Sequence, residues 1–226
     1  MAEAAPPLRL AVLLGGGGSA LQALLEASQA GGAPAEVAVV ISHRATAGGL
    51  HRALEAHLPA IYLPPPVGLR RTPEAMAHYE QRLVALLRPF DVDLVALTGW
   101  MLVLSPLFLD AFPQAVLNIH PALLPADGGE TVTLSDGRHI PAFRGAHAVQ
   151  DALAAGVDTT GATVHYAAPA VDRGAVLATG EAPILPGDTP ATLHARIKPI
   201  EHCLLLRTLA GLALARAAPR ARAPLK

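Results

Sequence analysis

The sequence predicts an α/β fold: a doubly wound, mostly parallel twisted sheet with helices on both of its faces. Short apolar runs of strand length alternate along the chain with longer stretches whose apolar residues recur at helical spacing. These short runs are apolar at nearly every position, as in strands that are buried on both faces of a parallel sheet. A composition of 52% hydrophobic and 15% charged residues excludes a disordered chain.

Five strands and three helices are predicted up to the middle of the chain. The strands are the apolar runs at 8–14, 36–42, 60–63, 93–97 and 116–119. The first helix follows Ser19, which we predict as its N-cap because a serine hydroxyl can accept a hydrogen bond from a free N–H of the first turn. The other helices are predicted at 46–57 and 73–88, the latter with Pro73 in its first turn.

The pattern changes after Pro125. Residues 126–144 are polar and rich in turns, and the segment 131–140 alternates like a short hairpin closed at Asp136-Gly137. The elements predicted beyond it are a helix at 146–155, strands at 161–167 and 175–178, and a long helix at 190–216. Together they predict a single domain over 8–216, with a frayed tail at 217–226.

Composition and charge exclude several classes of function. The formal net charge is −1, so the chain lacks the basic balance that broad nucleic-acid binding requires. The single cysteine, Cys203, excludes a disulfide framework, and no residues have the spacing of metal ligands. Apolar runs of about 8 to 12 residues are too short to span a membrane, and the N-terminus lacks a signal-peptide pattern. We expect a cytoplasmic protein that acts on small molecules without a metal.

A glycine run, residues 15–18, lies between the first predicted strand and the first predicted helix. Glycines let backbone N–H groups approach an anion closely, and the helix N-terminus favours negative charge. The run lacks the lysine that loops binding nucleoside triphosphates contain. It also lacks the following acidic residue that is typical of dinucleotide sites. A monophosphate is therefore the expected ligand. The alternative is a tight turn that binds nothing.

Asn118 and His120 lie at the end of the fifth predicted strand. Side chains alternate along a strand, so both point to the same side. An amide N–H can stabilise an oxyanion and an imidazole can move protons, which suits addition to a carbonyl group. Asp172 lies in a turn before a later strand. It is either an ordinary turn residue or, if it meets His120 in space, the carboxylate that favours the imidazolium.

Five segments in a fixed order resemble the folate-dependent glycinamide ribonucleotide formyltransferases. They are LLGGGGSALQALL (13–25), VALTGWMLVLSPLFL (95–109), LNIHPALLP (117–125), GAHAVQDALAAG (145–156) and TTGATVHYAAPAVDRGAVLA (159–178). The resemblance runs from Leu8 to Leu209. It implies a Rossmann-like formyltransferase fold, with a nucleotide-binding half at about 8–100 and a folate-binding, catalytic half at about 101–216.

The resemblance also implies roles for individual residues. Asn118 and His120 would be the catalytic pair, and Asp172 would raise the basicity of the histidine. The implied binding residues form two groups: Gly18, Ser19, Ala20 and Glu201 for the phosphate and ribose of the substrate, and Met101, Leu102, Val103, Leu104 and Asn118 for the pterin. His165 is either a second histidine of the site or a satisfied sheet residue.

The implied activity is formyl transfer from 10-formyltetrahydrofolate, as co-substrate, to the amine of glycinamide ribonucleotide in purine biosynthesis, by a monomer or homodimer. One alternative is 10-formyltetrahydrofolate hydrolase, which uses water. That enzyme usually carries an N-terminal regulatory domain, whereas the first strand predicted here begins near residue 8. Methionyl-tRNA formyltransferase would need a further C-terminal nucleic-acid-binding domain. The remaining alternative is a non-catalytic relative that binds folate or nucleotide.

Three features depart from the family pattern. Ala20 replaces an asparagine, Leu102 replaces a common arginine, and residues 127–144 form an insertion. We expect this insertion to be a two-stranded flap at the rim of the folate cleft that bears no catalytic residue, because long structureless loops are rare in compact domains. The alternative is a solvated surface excursion.

Overall fold

Two β-sheets are present in the computed structural model, which describes residues 7–66 and 72–217. The central sheet has seven strands, and a separate pair forms a hairpin. The strands are β1 (Leu8–Leu14), β2 (Ala35–Ser42), β3 (Ala60–Tyr62), β4 (Leu94–Thr98), β5 (Val116–His120), β6 (Thr131–Thr133), β7 (His139–Pro141), β8 (Thr159–Tyr166) and β9 (Val176–Pro183).

Helices cover both faces of the central sheet. They are α1 (Ser19–Gln29), α2 (Gly48–Glu55), α3 (Pro73–Leu87), α4 (Pro106–Ala111), α5 (Ala148–Ala154) and α6 (Pro190–Ala217). In the part of the chain that the structure describes, no helix is long and apolar enough to cross a membrane.

Alternate residues of the parallel strands pack into two separate cores. Leu10, Val12 and Leu14 of β1 belong to the core formed with α1, α2 and α6. Ala11 and Leu13 of the same strand belong to the core formed with α3 and α4. Because both faces of the strand are buried, nearly every position of its sequence is apolar.

The strand order of the central sheet is β3-β2-β1-β4-β5-β8-β9. The chain first builds outward through β2 and β3, and then crosses to β4 and β5 on the other side of β1. The helices that follow β1 and β4 therefore cover opposite faces of the sheet, which leaves a crevice at the carboxyl ends of these strands. β1 to β5 are parallel, whereas β8 and β9 are antiparallel to their neighbours. The predicted doubly wound, mostly parallel sheet is confirmed, and its division into two functional halves stays a prediction.

Several predicted boundaries differ from the structure. Ser19 is the first residue of α1 and not its N-cap, which is Gly18 in the left-handed region with φ of 74°. The short helix α4 is not among the predicted helices, although Ser105 caps it and Pro106 opens it. α2 is shorter than predicted, and β9 continues beyond 178 as far as Pro183. In the predicted tail, residues 218–226 lie outside the described residues.

The insertion contains the predicted hairpin. β6 and β7 pair antiparallel, and Gly137 in the connecting turn has φ of 85°. Val132, Leu134 and Ile140 pack against Leu123 and form a small core of their own. A segment that buries these side chains is not a solvated excursion.

Glu80 of α3 is a fully buried carboxyl group for which no role was predicted from the sequence. It accepts a hydrogen bond from the backbone N–H of Ser105 at 2.7 Å and another from the Ser105 hydroxyl. These contacts join α3 to the beginning of α4 and hold the end of the loop that follows β4.

Replacing Glu80 with alanine is expected to lower the free energy of unfolding by about 3 kcal/mol, because both Ser105 donors lose their acceptor and a cavity opens. Urea denaturation measures this loss. The matched control is Glu74→Ala, which removes an exposed carboxylate from the same helix and should cost at most about 1 kcal/mol. Equal losses in the two variants would contradict the role given to Glu80.

Candidate active site

A cluster of four polar side chains lies at the carboxyl end of β5. Asn118 and His120 project from the same side of this strand. β8 pairs with β5 in a register that sets His165 directly opposite Asn118. Asp172 comes from the loop between β8 and β9. The structure therefore brings the three residues predicted as catalytic together, and it places His165 among them.

The carboxylate of Asp172 is at the centre of the cluster. Its Oδ1 accepts a hydrogen bond from Asn118 Nδ2 at 3.3 Å, and its Oδ2 lies 3.4 Å from His120 Nδ1. Asn118 Nδ2 also lies 3.0 Å from His165 Nε2. Since His165 Nδ1 donates to the Tyr166 carbonyl at 2.8 Å, Nε2 of the neutral ring is the acceptor for Asn118. Both N–H bonds of the Asn118 amide are thereby engaged.

His120 is buried and has a partner at each ring nitrogen. Nε2 donates to the carbonyl oxygen of Phe143 at 2.7 Å, while Nδ1 faces Asp172. A proton on Nδ1 therefore completes an imidazolium–carboxylate pair. Burial lowers the pKa of His120 below its ordinary value, and the Asp172 carboxylate and the Phe143 carbonyl act in the opposite direction. Such opposed influences are typical of groups that gain and lose protons in a reaction.

Asp172 is held in an uncommon backbone conformation, with φ of 54°. Its Oδ2 accepts a hydrogen bond from the backbone N–H of Gly145 at 2.7 Å. Burial acts to raise the pKa of Asp172, but His120 and the Gly145 N–H hold it below its ordinary value. The carboxyl is thus ionised at neutral pH, the form that can pair with an imidazolium.

Gly174 lets the loop of Asp172 lie close to β8. A Cβ atom at this position would be 1.7 Å from the carbonyl oxygen of Tyr166. The Asp-x-Gly pattern therefore has a physical basis, because only glycine allows the approach that brings the carboxylate to His165.

The glycine run forms a loop over residues 15–19, called here the anion loop, whose carbonyl groups turn toward α2. The N–H of Gly49 donates to the carbonyl of Gly16 at 3.1 Å, and Arg52 Nε donates to the carbonyl of Gly17 at 2.9 Å. In a trans peptide the N–H points away from the C=O, so the N–H groups of Gly17 and Gly18 face away from α2. This arrangement, in front of the N-terminus of α1, suits an anion.

Close backbone contacts join the anion loop to its neighbours. A Cβ atom at Gly18 would lie 2.6 Å from Cα of Gly49, and one at Gly15 would lie 2.8 Å from the carbonyl oxygen of Gly99. Because Gly99 follows β4, the loops after β1 and β4 touch directly. The anion loop therefore borders the segment 101–104 that is predicted to bind the pterin.

The other predicted binding residues differ in how they meet solvent. Ala20 is only 8% exposed and packs into the core, so its backbone alone is available to a ligand. Met101 and Val103 are 45% and 56% exposed, whereas Leu104 is buried. A ligand of this segment would therefore meet two exposed apolar side chains together with the backbone.

Glu201 lies midway along α6, which packs against α1. Its carboxylate is 3.9 Å from His194 Nε2. Burial raises the pKa of Glu201 to about 7, against the lowering effect of the Lys198 charge. Among the described residues no hydrogen bond joins Glu201 to the anion loop.

Among the described residues, no group of three or more His, Cys, Asp or Glu side chains is arranged to hold a metal ion.

The family model described as formyl transferase matches residues 8–135 and 139–209 of this chain. The chain belongs to the formyl transferase family. The interruption between these two ranges, residues 136–138, lies at the tip of the hairpin.

Individual members of the formyl transferase family match most of this chain. Phosphoribosylglycinamide formyltransferase of Mycobacterium tuberculosis (strain ATCC 25618 / H37Rv) is 40% identical over 208 residues, which is 92% of this chain and 86% of that protein. The human trifunctional purine biosynthetic protein adenosine-3 is 34% identical over 194 residues, or 86% of this chain. The chain spans 17% of the length of this human relative.

Solved structures agree with the formyl transferase assignment. Glycinamide ribonucleotide transformylase 1 from Symbiobacterium toebii is 36% identical, with a TM-score of 0.79 over 93% of this chain and 89% of that chain. A formyltetrahydrofolate deformylase from Pseudomonas syringae shares the fold at 22% identity, with a TM-score of 0.75 over 94% of this chain and 63% of that chain. The family resemblance and the fold predicted from the sequence are confirmed.

Three contacts of the candidate site were not predicted from the sequence. Two come from the backbone, the Phe143 carbonyl on His120 and the Gly145 N–H on Asp172. Side-chain patterns carry no signal for such groups. The third is Arg52, whose guanidinium holds the carbonyl of a residue 35 positions earlier in the chain. Its position after the Gly48-Gly49 pair gave no spacing that pointed to the anion loop.

Replacing Arg52 with methionine is expected to raise the dissociation constant for ribose 5-phosphate about tenfold, because the peptide between Gly17 and Gly18 is no longer held with the Gly18 N–H toward the ligand. Isothermal titration calorimetry measures this change. Arg82→Met is the matched control, since it removes an exposed arginine from α3 on the opposite face of the sheet. An unchanged affinity in Arg52→Met would show that the anion loop does not need this support.

Replacing Glu201 with glutamine is expected to remove a pH-dependent loss of stability. The folded-state pKa of about 7 lies above the ordinary value of 4.5, so the folded chain holds this proton more tightly than the unfolded chain. The stabilisation is present below pH 4.5 and is lost as the pH rises through 7. Between these limits the free energy of unfolding of the wild type should fall, relative to the variant, by up to about 3 kcal/mol. A difference that stays constant across a pH series of urea denaturations would contradict this.

Proposed function

We propose that this chain transfers a formyl group from 10-formyltetrahydrofolate to the primary amine of glycinamide ribonucleotide, a step of purine biosynthesis. The observation that carries the proposal is the cluster of Asn118, His120 and Asp172 at the carboxyl end of β5. The cluster occurs in a chain that matches phosphoribosylglycinamide formyltransferases over most of their length.

The reaction begins with attack of the acceptor amine on the formyl carbon, which turns the formyl C=O into a tetrahedral oxyanion. Asn118 Nδ2 and the protonated ring of His120 donate hydrogen bonds to this oxygen, in place of their contacts with His165 and Phe143. Asp172 stabilises the imidazolium at Nδ1. The bond to the folate nitrogen then breaks as the C=O re-forms, and a proton passes through water from the former amine to that nitrogen.

The substrates occupy the crevice at the carboxyl ends of the strands. The phosphate of the ribonucleotide binds the N–H groups of Gly17, Gly18 and Ser19 in the anion loop. Glu201 of α6 accepts hydrogen bonds from the ribose hydroxyls. The pterin lies against the backbone of residues 101–104, beside the exposed Met101 side chain. We assign this activity to the cytoplasm and to a monomer or homodimer.

The anion loop favours transfer to a phosphate-bearing acceptor over hydrolysis of the folate. Two of its carbonyl groups are tied to α2, which leaves the N–H groups of Gly17 and Gly18 available to a ligand. An enzyme that passes the formyl group to water has no need of such a site, because its acceptor carries no charge.

An assay with and without the acceptor tests the proposal. The purified chain is incubated with 10-formyltetrahydrofolate, and formylated ribonucleotide and released tetrahydrofolate are quantified by mass spectrometry. Release that requires glycinamide ribonucleotide supports the transferase. Release at the same rate without it would indicate the hydrolase, and binding without turnover would indicate a non-catalytic relative.

His120→Ala and Asp172→Asn are each expected to lower kcat by about 10²- to 10⁴-fold, because proton transfer and oxyanion stabilisation lose a participant. Circular dichroism and binding of ribose 5-phosphate should stay close to those of the wild type. His51→Ala and Asp151→Asn, which change exposed residues of α2 and α5, serve as controls. Near-normal turnover in either site variant would remove that residue from the mechanism.

A further inference from the structure

One glutamate and two arginines join the base of the hairpin to the loop of Asp172. Glu130, just before β6, accepts hydrogen bonds from Arg144 Nη1 at 2.9 Å and from Arg173 Nη2. Both arginines also donate to backbone carbonyls next to this glutamate: Arg173 to Gly128 at 2.7 Å, and Arg144 to Gly129. We call Glu130, Arg144 and Arg173 the hairpin clamp.

Both arginines of the hairpin clamp are chain neighbours of groups in the catalytic cluster. Arg173 directly follows Asp172. Arg144 lies between Phe143 and Gly145 in the chain. The Phe143 carbonyl accepts a hydrogen bond from His120, and the Gly145 N–H donates one to Asp172. Arg144 Nε also donates to the backbone carbonyl of Asp172 at 3.4 Å. A displacement of the hairpin clamp would therefore move contacts on both reacting side chains.

The solvent exposure of the hairpin clamp indicates that it fixes the geometry of the groups it contacts more than it stabilises the fold. The side chain of Glu130 is 72% exposed, whereas that of Arg144 is only 13% exposed. Exposed ion pairs add little to the stability of a fold. A planar guanidinium that binds a carboxylate and carbonyl groups together fixes geometry instead. A hydrogen bond from Arg173 also holds the pKa of Glu130 below its ordinary value, so the carboxylate is charged at neutral pH.

The backbone of Asp172 needs such support. A left-handed conformation at a residue other than glycine has an energetic cost and persists only where its surroundings hold it. The Gly145 N–H holds the carboxylate end of this residue, and Arg144 holds its carbonyl. Both groups come from the segment that leads out of the hairpin.

We propose that Glu130, Arg144 and Arg173 are positioning residues, through which the inserted hairpin sets the geometry of Asp172 and His120. The hairpin is then more than a flap over the cleft, because its base reaches the reacting groups. The kinetic consequences rest on the proposed formyl transfer, whereas the effect on the His120 hydrogen bond does not.

Glu130→Gln tests the proposal against a matched control. The control is Asp158→Asn, which also removes an exposed carboxylate paired with an arginine of the hairpin, here Arg138 at the tip. Glu130→Gln is expected to lower kcat by about tenfold to a hundredfold, with KM for both substrates within about twofold. Asp158→Asn should leave both constants within about twofold of the wild type.

A second measurement is independent of activity. In protein labelled with ¹⁵N-histidine, NMR measures how fast the Nε2–H of His120 exchanges with water. The signal of this proton is identified by its absence from the spectrum of His120→Ala. This exchange should accelerate about tenfold or more in Glu130→Gln and stay unchanged in Asp158→Asn. The Nδ1–H of His165, bonded to Tyr166, is an internal reference that should change in neither.

Arg144→Lys keeps the positive charge but loses the planar set of guanidinium N–H donors, so it should behave like Glu130→Gln. Wild-type kcat and wild-type exchange in Glu130→Gln would overturn the proposal. Equal losses in Glu130→Gln and Asp158→Asn would also overturn it, because they would show a general effect of weakening the hairpin. If the wild type itself transfers no formyl group, the proposed function fails, and the exchange rates alone decide the role of the hairpin clamp.

Discussion

The buried carboxylate of Asp172 is the interaction on which the arrangement of the site depends. It gathers the amide of Asn118, the N–H of Gly145 and the ring of His120, and through Asn118 it is linked to the ring of His165. A buried charge without such partners would be strongly disfavoured, so the four groups and the carboxylate hold one another in place. Elements distant in sequence, β5, β8 and the segment after the hairpin, are thereby required to meet at one point.

Two-sided burial explains why the central sheet was predictable. Every residue of β1 except Arg9 belongs to one of the two cores, so an apolar run marks the strand, and its boundaries were predicted to the residue. Helix ends were less predictable, since the cap of α1 is a backbone conformation of Gly18 and not a side chain. A helix of 6 residues such as α4 has too few turns to show a period, although Ser105 and Pro106 are a start signal.

The candidate site was predictable from residues alone only where its members are close in sequence. Asn118 and His120 are two residues apart on one strand, so alternation settles their common direction. The partnership of Asp172 with His120 required the family resemblance. The place of His165 depends on the register of β5 with β8, segments paired across 47 residues, and no local pattern specifies that register. The contacts of Phe143 and Gly145 are made by backbone groups that every residue possesses.

The two ends of the hairpin differ in how tightly their geometry is constrained. The chain can change in length at the tip, whereas the geometry of the base is fixed by its contacts. Within the described residues, the hydrogen bonds from the tip to other elements go to exposed carboxylates, Asp158 and Glu181, and the formyl transferase match is interrupted at 136–138. The small core around Leu123 lies between this tip and the segment 143–145, which contacts His120 and Asp172. A change of length at the tip is therefore expected to leave the other end undisturbed. An insertion built in this way can alter the outer surface of the protein while the polar cluster beneath it keeps its geometry.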